Sequence, residues 1–135
     1  MHVRQMIATH PEVRGTPNPA LLQAIEACYD CAQACTSCAD ACVADGDVER
    51  LRQCIRLCLD GADLCDAAGS IASRRTGSNE VVISQVLGAC RVACRLCAEE
   101  CARHAATHEH CAVCADACLM CELACERALA TIATH

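Results

Sequence analysis

Seventeen cysteines dominate the chemistry open to this chain of 135 residues, and their spacing is ordered. Cys28, Cys31, Cys35, Cys38 and Cys42 step by three, four, three and four, and Cys111, Cys114, Cys118, Cys121 and Cys125 repeat that order. Cys90, Cys94, Cys97 and Cys101 step by four, three and four, and His104 and His108 carry the rhythm onward. A sparser set, Cys54, Cys58 and Cys65, has Gly61 in the slot where the pattern would put another sulfur. Steps of three and four return a side chain to one face of an α-helix, so each set is a stripe of thiols of the kind that faces a bundle axis.

Such stripes suit soft metal ions. Residues at i and i+4 on a helix have Cβ atoms roughly 5 to 6 Å apart, close enough for two thiolates to close on one ion with bonds of about 2.3 Å. The C-x-x-x-C pairs Cys31/Cys35, Cys38/Cys42, Cys54/Cys58, Cys90/Cys94, Cys97/Cys101, Cys114/Cys118 and Cys121/Cys125 all meet that condition. All-thiolate ligation of low coordination number suits Cu(I), and each sulfur also has neighbours at i+3 and across the bundle, so sites are expected to merge along the axis. Charge points the same way. Many thiolates in a core of low dielectric are tolerable only if their charge is cancelled. One Cu(I) per thiolate leaves the core near neutral, whereas Zn2+ held by four thiolates leaves about two negative charges per site.

The elements that must carry these stripes are helices. No usable stretch alternates with a period of two, while apolar and Cys positions recur at three and four throughout. The first long helix is expected from Pro19, behind Asn18 as N-cap, to about Ala44, ending at Asp45-Gly46-Asp47. The second is expected over Asp47 to about Ala72, with a polar turn over Ser73 to Asn79, and the third from Asn79 or Glu80. Cys111 to Cys114 resets the sulfur phase, which places a turn between His104 and Glu109, with Thr107 as N-cap, before a fourth helix. Four segments of about 26 residues each, about 39 Å long and joined by short loops, make an all-α, antiparallel up-down-up-down four-helix bundle. Residues 1–18 are read as an N-terminal extension containing a short helix, and 19–135 as the metal-storage domain.

Composition narrows the class further. Tyr29 is the only aromatic residue, and it reads as packing; bulky core formers have been replaced by sulfur. A formal net charge of -6, with every basic residue an Arg, gives no footprint for a nucleic-acid partner. No uncharged apolar stretch is long enough to span a bilayer, and Met1 to Gly15 lacks the apolar run of a secretory signal, so a cytoplasmic location is expected, where thiols stay reduced. Seventeen is odd, and the chain is long enough to build a core, which disfavours a disulfide scaffold.

The two ends of such a bundle differ. Leu21, Ala24, Ile71, Ala72, Ile83, Leu87, Ala128 and Ile132 form an aliphatic plug near the termini. Cys42, Cys101, Cys111, His104 and His108, with His110 close by, mark the other end, where labile imidazole ligands would admit copper. His2, Met6 and His10 step by four and could align on one face of a short helix as a second acquisition site. Leu57, Leu64, Val92, Leu96, Leu119 and Leu123 lie off the sulfur stripes and suggest a subunit interface.

The double run C-x-x-C-x-x-x-C-x-x-C-x-x-x-C, at Cys28 to Cys42 and Cys111 to Cys125, resembles the bacterial cytosolic copper storage proteins over about residues 19 to 134. That resemblance implies a bundle holding many Cu(I) ions, a homotetramer, His or Met assistance at one mouth, and storage or detoxification without catalysis. Copper donor and acceptor proteins would be its partners. The expected ligands are all seventeen cysteines together with His104 and His108. Two other readings stay open: a zinc or mixed-metal thiolate buffer, and a thiol-redox protein with one cysteine far more reactive than the rest.

Overall fold

The computed structural model describes residues 1–13 and 17–132. Five helices follow in order: α1 (Val3–Ala8), α2 (Pro19–Ala44), α3 (Arg52–Ser73), α4 (Glu80–His104) and α5 (Glu109–Leu129). The four long ones form a closed ring in which α2 neighbours α3, α3 neighbours α4, α4 neighbours α5, and α5 returns to α2. Short connections make successive helices antiparallel, as the loop lengths require. The junctions α2/α3 and α4/α5 therefore share one end of the bundle. The α3/α4 link shares the other with the start of α2 and the end of α5.

Local chemistry fixes the ends. Asn18 caps α2 through Oδ1, which accepts the N–H groups of Ala20 at 3.0 Å and Leu21 at 3.3 Å, and Pro19 occupies the first turn. The same side chain donates through Nδ2 to Thr131 Oγ1 at 2.8 Å, tying the start of α2 to the segment after α5. Gly77 adopts φ +66° in the α3/α4 link, a conformation that costs glycine least, and its N–H donates to Glu12 Oε2 at 2.9 Å.

Three boundaries differ from the sequence expectation. α3 begins at Arg52 rather than Asp47, because residues 47–51 wind into turns in which Leu51 N donates to Asp47 O and Val48 O and the Leu51 side chain turns fully inward. The N-cap of α5 is His108 rather than Thr107, and the His108 ring is not used for capping, being hydrogen bonded to Asp45 instead. α5 spans 21 residues rather than about 26, stopping at Leu129 with turns to residue 132. α1 ends at Ala8, so His10 is not on it with Met6, and both ring nitrogens of His10 are engaged, Nδ1 by the Glu12 N–H at 3.1 Å and Nε2 by Thr76 Oγ1 at 3.2 Å.

The interior is made of small groups. All seventeen cysteines are at most 2 % exposed, and the bulkiest fully buried side chains are Ile25, Leu51, Ile83 and Leu87. Tyr29 packs against α3 at Gly69: a Cβ added there would stand 3.0 Å from its ring, so that glycine is what lets the aromatic group seat. α4 is long and apolar enough to cross a membrane; Ile83, Leu87, Cys90, Cys94, Cys97 and Cys101 turn into the bundle, while Val81, Val82, Val92 and Leu96 are exposed. Its exposed side carries Arg95, Glu99 and Arg103. Replacing Asn18 by Ala removes the cap and the Thr131 tie, and is expected to destabilise the metal-free protein by about 1 kcal/mol, lowering its midpoint in thermal circular dichroism by a few degrees while leaving metal capacity unchanged.

Candidate metal centre

Helical phase carries every thiol to the axis. Cys28, Cys31, Cys35, Cys38 and Cys42 descend α2 from the plug to the opposite end, and Cys125, Cys121, Cys118, Cys114 and Cys111 match them level by level on α5. Contacts across helices are short: Cys54 Sγ to Cys101 Sγ is 3.4 Å, Cys65 Sγ to Cys90 Sγ 3.4 Å, and Cys35 Sγ to Cys118 Sγ 3.5 Å. Other contacts across helices reach 4.0 Å, and those along a helix fall in the same range, 3.8 Å for Cys31/Cys35 and 3.9 Å for Cys90/Cys94, Cys97/Cys101 and Cys114/Cys118. All seventeen cysteines are free thiols.

These sulfurs gather into quartets whose Sγ atoms lie within 4.8 Å of one another. From plug to opposite end they include Cys28/Cys90/Cys121/Cys125, Cys31/Cys65/Cys94/Cys121, Cys35/Cys97/Cys114/Cys118, Cys38/Cys54/Cys58/Cys101 and Cys38/Cys42/Cys54/Cys111. Together these five use every cysteine in the chain, and Cys38, Cys54 and Cys121 each serve in two. The quartet at Cys35 takes no sulfur from α3, because Gly61 stands at that level; a Cβ there would come within 3.3 Å of Cys35 Sγ. Gly61 thus leaves room beside Cys35 where the α3 stripe is interrupted.

Burial and crowding set the protonation of these thiols. Removal from water, followed by the negative charge of Cys38 and Cys54, pushes Cys42 up to about 12, and burial raises Cys111 in the same way. Cys54 is held lower, at about 7, chiefly by its hydrogen bond with Cys101. A thiol raised in this manner keeps its proton at neutral pH, so a metal ion must displace it.

Three imidazoles close the end where α2/α3 and α4/α5 meet. His104 donates or accepts through Nε2 with Glu100 Oε2 at 2.9 Å, and Glu100, a buried carboxylate, is also held by Arg103 at 2.9 Å. His108 Nδ1 lies 2.7 Å from Asp45 Oδ2, and its ring centroid is 6.3 Å from that of His104 and 5.7 Å from that of His110. His110 reaches furthest inward: its Nδ1 is 3.4 Å from Cys38 Sγ, 3.6 Å from Cys111 Sγ and 3.9 Å from Cys42 Sγ. The hydrogen bond with Cys38 is the main influence raising the His110 pKa, opposed by burial and aided by Asp45. Burial works to raise the Asp45 carboxyl, but the bonds from His108 and His110 outweigh it and hold the group below the ordinary carboxylate value.

The structure therefore brings His104 and His108 to the end expected of them, each paired with a carboxylate, and sets His110 rather than either of them against sulfur. The sulfur spacing places His110 only near this end, although its position four residues before Cys114 puts it on the flank of the α5 stripe. Glu100, four residues before His104, was legible on the same principle. Asp45, paired with His108 across 63 positions, was not.

Comparison with known proteins agrees with this geometry. Among curated proteins none matches the chain. Among solved structures, the copper storage protein Ccsp from Streptomyces lividans loaded with 10 copper equivalents is 46% identical, covering 96% of this chain and 99% of its own, with a TM-score of 0.91. The cytosolic copper storage protein from Streptomyces lividans loaded with five coppers is 50% identical over 84% of this chain and 95% of its own, with a TM-score of 0.82. The Cu(I)-bound copper storage protein BsCsp3 is 35% identical over 76% of this chain and 92% of its own, with a TM-score of 0.68. The family model described as copper storage protein matches residues 18–130, nearly the whole of the bundle, and the chain belongs to the copper storage protein family.

Proposed function

We propose that this protein sequesters many Cu(I) ions in the cytosol on the thiolates of its bundle core, as a store without catalysis. Residues 19–135 form the storage domain and 1–18 an extension. All seventeen cysteines act as ligands, and His104 and His108 serve at the entry. The observation that carries the reading is the sharing of sulfurs: five quartets drawn from seventeen thiols do not divide into separate four-sulfur sites. Isolated tetrahedral Zn2+ sites need four thiolates each and leave about two negative charges apiece in a water-free core. Bridging thiolates on a monovalent soft ion avoid both difficulties, and the copper-loaded relatives of this fold support the choice.

The asymmetry of the bundle gives copper one way in. Leu21, Ala24, Ile25, Ala72, Leu87 and Ala128 fill the plug end. The opposite end offers imidazoles, which exchange Cu(I) more readily than buried thiolates, and one of them, His110, lies against Cys38, Cys42 and Cys111. The protein also assembles with copies of itself. Leu57, Leu64, Val92 and Leu96 line a groove of about 540 Å³ between α3 and α4, and Leu119, Met120 and Leu123 on α5 are exposed as well. Apolar faces of that extent on a small bundle favour a homo-oligomer, a tetramer on the family pattern.

Anaerobic titration with Cu(I), followed by native mass spectrometry, should give a loaded species holding on the order of one ion per cysteine. Protons should be released as loading proceeds. Because the raised thiols hold protons at neutral pH, occupancy at a fixed free Cu(I) concentration should fall as the solution is acidified and rise towards alkaline pH. Saturation at four ions or fewer, or displacement of the bound Cu(I) by equimolar Zn2+, would reject the reading. Replacing His104 and His108 together by Ala should slow loading several-fold and leave final capacity nearly unchanged; a large loss of capacity would place these residues inside the clusters instead. Sedimentation velocity should show an oligomer that Leu96→Glu with Leu123→Glu converts to monomers still able to load.

A further inference from the structure

The imidazoles at the mouth differ in what stands behind them. His104 has Glu100 to itself, within one helix. Asp45 is shared: the same Oδ2 lies 2.7 Å from His108 Nδ1 and 3.5 Å from His110 Nε2. It occupies the C-cap of α2 with extended backbone, and its own N–H is bonded to Cys42 O, so the carboxylate is held where α2, the turn before α3 and the start of α5 converge. Asp47 Oδ2 stands on the far side of His108, 3.7 Å from Nε2.

An ionised carboxylate only accepts hydrogen bonds, so the ring nitrogen facing it must carry the hydrogen. For His108 that is Nδ1, which leaves Nε2 as the basic nitrogen. For His110 it is Nε2, which leaves Nδ1 aimed at Cys38, Cys42 and Cys111. Without Asp45 either ring is free to turn or to exchange its hydrogen between nitrogens, and the two would no longer be held in one orientation relative to each other. Carboxylates placed behind metal-binding imidazoles have this effect generally, and their loss weakens binding or rate by about 10- to 100-fold.

We propose that Asp45 is a positioning residue for copper entry, its single Oδ2 orienting His108 and His110 together so that an ion accepted by the first ring is presented to the second and then to the Cys38/Cys42/Cys111 sulfurs. This inference rests on the reading of the histidine end as the entrance. Asp45 touches no sulfur in the structure's hydrogen-bond network and acts through the rings.

The test uses the full metal-free chain under anaerobic conditions, with Cu(I) delivered as a coloured chelator complex in a stopped-flow instrument. Asp45→Ala, Asp45→Glu and the His104→Ala/His108→Ala pair are compared with the parent, and long-range 15N–1H spectra of histidine-labelled apo protein report which ring nitrogen carries hydrogen. Asp45→Ala should slow the first loading phase several-fold, comparably to the histidine pair, shift the His108 signal away from the Nδ1–H form, and leave final stoichiometry intact; Asp45→Glu should recover much of the rate and the signal. Thermal melting of each variant shows that the bundle is retained. Loading of Asp45→Ala at the parental rate, slowing with an unchanged His108 signal, or failure of Glu to recover either readout would overturn the inference. If the double histidine variant itself loads at the parental rate, the entrance reading falls; if that variant is slow and Asp45→Ala is not, only the role of Asp45 falls.

Discussion

A water-free column of thiols is the constraint to which the rest of this structure answers. Seventeen sulfurs at most 2 % exposed cannot ionise together in a medium of low dielectric, because each added thiolate is stripped of water and repelled by its neighbours. The interior has therefore two chemically coherent conditions, protonated or charge-balanced by cations. The small size of cysteine ties packing to the same choice. With Tyr29 seated against Gly69 and no other aromatic residue in the chain, the axis is filled by sulfur and whatever sulfur binds, while aliphatic packing is concentrated at the plug.

The helices serve that column by keeping a strict phase. α2 and α5 contribute five levels each, α4 four, and α3 three, with Gly61 buried at the level where its stripe is interrupted. At the opposite end Glu100, Asp45 and Asp47 lie against three imidazoles that cover the sulfur column. One end of the bundle is thus closed by apolar contact and the other by hydrogen bonds, which open and reform far more readily than a packed core can be parted.

Much of this was legible in the chain. Pro19 behind Asn18, the polar stretch before Glu80 and the change of sulfur phase after Cys101 located three helix starts or ends from local chemistry alone, and the a/d spacing identified the thiols that meet at the axis. The errors have a common origin in contacts between distant residues. Asp47 looked like a helix start, but Leu51 is drawn inward and the intervening residues turn with it. Thr107 has the better capping side chain, yet His108 takes the position because Asp45 holds its ring. His10 shares the spacing of His2 and Met6, but its ring is committed to Thr76 and to the backbone of Glu12. Periodicity reports which face a residue occupies; it carries no information on a hydrogen bond between positions 63 apart.

The double membership of Cys38, Cys54 and Cys121 makes the interior a ladder rather than a row of compartments. Four of the five quartets share a sulfur with a neighbour, and Cys35/Cys97/Cys114/Cys118 is joined to the rungs beside it by the 3.6 Å Cys31–Cys118 and 3.7 Å Cys58–Cys97 contacts, so filling one rung alters the sulfur available to the next, and a half-filled molecule is a distinct chemical species instead of a diluted full one. Cargo can also climb such a ladder by exchanging one bond at a time, from the rung beneath His110 to the deepest at Cys28 and Cys125, without ever returning to solvent.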